Sequence, residues 1–124
     1  MENIVINETK STPEVNFDFK NNVLSLKGQS YPEDPLKFYS PLIETVKNYL
    51  SSVDTRVTLN LKLVYLNTSS LKCIMILFNI FEEAFIEKKD IVINWYYDKE
   101  NDMALESGED FKEDMTVPFN IVEE

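Results

Sequence analysis

Four small polar residues in a row, Asn67-Thr68-Ser69-Ser70, separate an alternating apolar segment that ends at Tyr65 from an apolar run that begins at Leu71. Side chains of these types accept hydrogen bonds from the free N–H groups at the start of a helix. A threonine there can also carry a phosphate, which adds about −1.5 to −2 charge beside the positive end of the helix. For an arbitrary Ser/Thr cluster before a helix, capping alone is the ordinary reading.

Other chemistry is hard to write with these residues. The chain has no histidine, so the commonest general base and the usual activator of a serine or cysteine nucleophile are missing. Its only glycines are Gly28 and Gly108, which leaves neither a phosphate-binding loop nor a dinucleotide fingerprint. Cys73 is alone, so an intramolecular disulfide and a cysteine zinc site are both excluded, and it reads as a small buried hydrophobe. Asp98, Glu100 and Asp102 alternate like the start of a calcium loop, but Met103 stands where the turn needs glycine, and a solvated turn is the better reading. No catalytic residue, cofactor or metal is expected. A small carboxylate-dependent enzyme is the alternative, because Asp and Glu are plentiful, although no spacing selects a pair.

At 124 residues with 44% hydrophobic content, the chain suits one domain spanning 1–124. A net charge of −10 opposes polyanions, so neither nucleic acid nor an anionic membrane is expected as a partner. The start, Met1-Glu2-Asn3-Ile4, has no basic, apolar signal pattern, and Leu71–Phe81 is too short to cross a bilayer. A cytoplasmic protein, monomeric or weakly dimeric, is expected.

These residues must be held by a recognisable set of elements. Val15, Phe17 and Phe19 alternate with polar neighbours as in a half-buried strand, and Asn21-Asn22 suits a tight turn into a second strand, Val23–Lys27, before Gly28. Asn3–Asn7 adds an edge strand. Asp34 is an N-cap with Pro35 in the first turn, and a stripe from Tyr39 to Leu50 carries a helix to about Ser52, with Pro41 removing one hydrogen bond near its start. Odd positions from Val57 to Tyr65 are apolar and predict a strand; a helix to about Lys88 and a strand over Ile91–Tyr97 follow. This second helix has too many apolar residues for one narrow stripe, so part of it meets either a neighbouring helix or a partner. Ala104–Met115 suggests a third helix despite Gly108, and Phe119–Val122 a last strand. The order predicts an α/β fold, a mixed sheet with helices packed on it.

The segments Thr12-Pro13-Glu14-Val15, Ser25-Leu26-Lys27-Gly28 with Ser30-Tyr31-Pro32-Glu33, Tyr65-Leu66-Asn67-Thr68-Ser69-Ser70, and Asp102-Met103 followed by Gly108-Glu109 occur in one order along the chain. Together they resemble the SiaC family of bacterial regulatory phosphoproteins over nearly its whole length. The resemblance implies a fold like that of anti-sigma factor antagonists, the STAS-like domains, and a partner switch. It implies that a kinase phosphorylates Thr68, that a serine/threonine phosphatase reverses this, and that the unmodified form activates an effector such as a diguanylate cyclase in cyclic di-GMP and biofilm signalling. The expected partner surface comprises Asn67, Thr68, Ser69, Ser70 and Lys72. Thr68 is expected to be solvent-accessible, in the loop or first helical turn after the strand.

Overall fold

Asn22 supplies the positive φ of 60° that a tight turn needs, and the chain reverses there between strand β2 (Glu14–Asp18) and strand β3 (Val23–Ser30). The computed structural model describes residues 1–124, and in it a short strand β1 (Ile4–Ile6) lies antiparallel against β2. Helix α1 (Pro35–Ser52), strand β4 (Val57–Leu66), helix α2 (Thr68–Ile86), strand β5 (Ile91–Tyr97), helix α3 (Asp102–Glu113) and strand β6 (Phe119–Glu123) follow. The strands form one sheet in sequence order, antiparallel from β1 to β3 and parallel from β3 to β6.

Each of the three crossovers advances by one strand in the same direction. Parallel crossovers are right-handed, so all three helices must lie on the same face. Packing agrees: Tyr49 of α1 stacks on Phe19, Phe78 of α2 meets Trp95 and Phe119, and Phe111 of α3 meets Trp95. Register puts the large side chains of neighbouring strands in rows beneath the helices, such as Phe17, Leu24, Leu59, Ile93 and Phe119. The opposite face has no covering layer and is correspondingly polar. Asn60, Asn94 and Asn120 are aligned across it, linked by amide hydrogen bonds of 3.0 Å.

The expected elements are present, with three instructive differences. Gly28 does not end its strand; it adopts φ +123° at a bulge, and β3 continues to Ser30. The alternation of β4 stops at Leu63, because both Val64 and Tyr65 are exposed and the Tyr65 ring packs edge-on against Tyr31. Helix α3 begins two residues earlier than the apolar pattern suggests, because Asn101 caps it by accepting from the Ala104 N–H at 3.0 Å. Asp34 caps α1 and Pro35 opens it, and the helix runs through Pro41 to Ser52.

Candidate functional site

The three parallel crossovers bring the N-termini of all three helices to the end of the sheet where β3, β4 and β5 finish. Thr68, the first residue of α2, is exposed there, one residue beyond the strand-to-helix junction. Asn67 is the cap: its Oδ1 accepts from the Ser70 N–H at 2.9 Å, and its carbonyl accepts from the Leu71 N–H at 2.9 Å. The N–H groups of Thr68 and Ser69, in the first helical turn, have no intrahelical acceptor, and both residues are exposed. Lys72, also exposed, lies one turn along on the Thr68 side of the helix. Thr68 thus sits at the positive end of the helix dipole with Lys72 one turn along on the same face, a setting that favours added negative charge.

Ser70 differs from its neighbours. It was expected at the partner surface, but its side chain is fully buried, because the third residue of the turn points back toward the sheet. Its Oγ shares a hydrogen bond of 2.8 Å with Ser30 Oγ, which in turn shares one of 2.6 Å with the Tyr39 hydroxyl. The Ser30 carbonyl also accepts from the Asn67 N–H at 3.1 Å. Ser30 at the end of β3, Tyr39 on α1 and the first turn of α2 therefore meet in one buried polar cluster. Burial pushes the Tyr39 phenol up to about 12, against the opposing effect of the Ser30 hydrogen bond and with a small further rise from Cys73. The phenol is therefore neutral at ordinary pH and able to donate.

Exposed apolar side chains occur at this same end of the sheet. Val64, Tyr65 and Met103 border one depression, with Met103 66% exposed, and Leu36 stands exposed at the start of α1. Further along α2, Met75 and Ile76 are exposed, while α1 and α3 cover the flanks of the helix. Most of the apolar surface of this helix meets core and neighbouring helices, as the first of its two readings expects, and a remainder at Met75 and Ile76 faces outward beyond Lys72.

Neither Ser30 nor Tyr39 was singled out from the sequence. Tyr39 was visible only as one member of the apolar stripe, and nothing local indicates that its hydroxyl meets a serine nine residues earlier. In the sequence Met103 stands out only as the residue that spoils a calcium loop. The asparagine before Asp102 was a usable signal for the start of α3.

By its fold, the chain is an α/β domain in which three helices cover one face of a six-stranded mixed sheet. A sequence model of the SiaC family of regulatory phosphoproteins matches residues 6–124, and the chain belongs to that family. It is 36% identical over 121 residues to an uncharacterized protein of Pseudomonas aeruginosa (strain UCBPP-PA14), covering 98% of this chain and 96% of that one. The solved structure of SiaC of Pseudomonas aeruginosa superposes with a TM-score of 0.93 at 34% identity, over 100% of both chains. The crystal structure of the diguanylate cyclase SiaD in complex with its activator SiaC, from the same organism, matches with a TM-score of 0.93 at 35% identity, over 98% of this chain and 99% of the other.

Proposed function

We infer that this chain is a non-enzymatic partner switch controlled at Thr68. Its unmodified form binds and activates an effector, and a diguanylate cyclase is the effector class favoured by the SiaC relative crystallised with SiaD. A kinase phosphorylates Thr68 and a serine/threonine phosphatase restores it. The carrying observation is the placement of an exposed threonine at the first position of α2, at the end of the sheet whose rim carries the exposed apolar side chains of Leu36, Val64, Tyr65 and Met103. Asn67, Ser69 and Lys72 are the polar contacts of this surface, and Val64, Tyr65 and Met103 its apolar ones. Ser70 contributes from beneath.

Desolvation drives the switch. A partner packed on this rim buries the Thr68 hydroxyl at small cost, but it has to bury a doubly charged group once the residue is phosphorylated. Such a penalty reaches several kcal/mol, and each 1.4 kcal/mol is tenfold, so the effector complex should weaken by at least about a hundredfold. The helix N-terminus tolerates the phosphate, worth about 0.3–1 kcal/mol at an exposed site, so the fold should persist. Calorimetric titration of unmodified and fully phosphorylated protein into the diguanylate cyclase of the same cell, with thermal melts of both, tests this. Equal affinities would remove the switch, and a large fall in melting temperature would show that phosphate acts by unfolding.

A further inference from the structure

Ser30 and Ser70 are the only polar residues of the chain with wholly buried side chains, and they touch each other directly beneath the turn that carries Thr68. The third member, Tyr39, is 1% exposed. None of the three can reach a docked protein without unfolding the site, so any effect they have on the switch passes through Thr68. We propose that Ser30, Tyr39 and Ser70 are positioning residues, a buried hydroxyl clamp that fixes the first turn of α2 so that its free N–H groups and Lys72 are already in place to receive a phosphate on Thr68. The proposal rests on Thr68 being the modified residue.

The clamp works through hydrogen-bond direction. A hydroxyl has one proton to donate, so Ser30 Oγ can donate to one neighbour and accept from the other, and the three oxygens form one ordered chain. With the Asn67 N–H held by the Ser30 carbonyl and Ser70 Oγ by Ser30 Oγ, both the residue before Thr68 and the residue two after it are tied to the end of β3. The turn is therefore anchored on both sides of the acceptor. In a low-dielectric interior a partly broken chain of this kind leaves an unsatisfied hydroxyl, so the turn has little freedom to shift while the clamp is whole. The clamp also explains why a fully buried α1 residue in the apolar stripe is tyrosine: a phenylalanine would fill the same space and leave Ser30 with one partner fewer.

The test uses full-length chain with phosphothreonine installed at position 68 by genetic encoding, which needs neither the kinase nor an effector. The second ionisation of the phosphate, normally near pH 6, is followed by phosphorus NMR during titration. In the wild-type background it should fall below that value by about 0.2–0.7 pH unit, the size expected of a helix N-terminus. Ser30→Ala should abolish most of the depression, because it orphans both neighbours; Ser70→Ala should do so in part. Tyr39→Phe keeps the ring and the Ser30–Ser70 contact, so it should fold even if Ser30→Ala does not, and it should give a smaller loss in the same direction. Folded variants that retain the wild-type phosphate titration overturn the proposal, as does a wild-type phosphate that titrates like a free one. Calorimetry on the effector is a separate measurement, so a chain with a depressed phosphate titration but no loss of effector affinity would refute the partner switch and leave the clamp standing.

Discussion

At Gly108 a single missing methyl group decides whether α3 can approach the sheet. An added Cβ would stand 2.5 Å from Trp95 Cδ1 and 2.7 Å from its Nε1, and the ring cannot retreat because it is wholly buried and its Nε1 donates to the Ala104 carbonyl at 2.9 Å. Glycine in a helix interior ordinarily costs about 1 kcal/mol relative to alanine, which by propensity alone disfavours this helix. Close packing reverses that judgement, since overpacking a core costs about 1–3 kcal/mol. Gly108→Ala should therefore lower stability by up to about 2 kcal/mol in denaturant melts despite its better helix propensity. The same change in a Trp95→Phe background, where the smaller ring leaves room, should cost less; equal losses in both backgrounds would contradict the packing explanation. The pairing of Gly108 with Trp95 is invisible in sequence, because thirteen positions separate them and only the crossover brings them together.

Among the helices, α2 lies between the other two and packs against both, and its two ends are built differently. Its C-terminus closes with Lys88 at φ 77°, with the Lys89 N–H donating to the Ala84 carbonyl at 3.0 Å and the Lys88 N–H to Phe85 at 2.9 Å. This is the left-handed closure that glycine usually provides, so Lys88→Gly should raise the melting temperature, by about 0.5–1 kcal/mol of stability. Unchanged or lower stability in thermal melts would show that the lysine compensates for its backbone. In the body of the helix, Glu82 accepts from the Thr116 hydroxyl, from the Thr116 N–H and from the Val117 N–H, and so fastens the α3–β6 connection. Partial burial alone would raise its pKa, but the hydrogen bonds from Thr116 and Val117 outweigh it and hold the carboxyl below its usual value. A carboxylate lowered on folding contributes stability that is complete above its unfolded pKa and is lost as pH falls through the folded one. Melting temperature should accordingly drop on acidification from the ordinary glutamate range downward, and Glu82→Gln should flatten that part of the profile. A profile with the same acid slope in both proteins would assign the effect to other carboxylates.

Across the whole molecule, stability comes from one layer of helices on one face of one sheet. Leu61 sits at the centre of that arrangement, paired in register with Leu26 and Trp95 and fully buried. Leu61→Ala should cost about 2–5 kcal/mol, read as a shifted denaturant midpoint with little change in slope. A loss below 1 kcal/mol would mean that the core collapses around the gap. How much of this molecule was legible beforehand depends on the range over which each feature is encoded. The strands read over Val57–Tyr65 and Ile91–Tyr97, the cap Asp34, the capping cluster from Asn67 to Ser70 and the exposed threonine after β4 follow from periodicity, turn chemistry and side-chain type within a few residues. Absence of histidine, paired cysteines and phosphate-binding glycines was likewise a property of composition alone. Gly28 as a bulge rather than a strand end, Ser70 turned inward to Ser30 and Tyr39, and Met103 beside Val64 were settled only by the tertiary structure. Each of those depends on which distant segment lies alongside, and three crossovers of one hand on one face fix that choice where local propensity is silent.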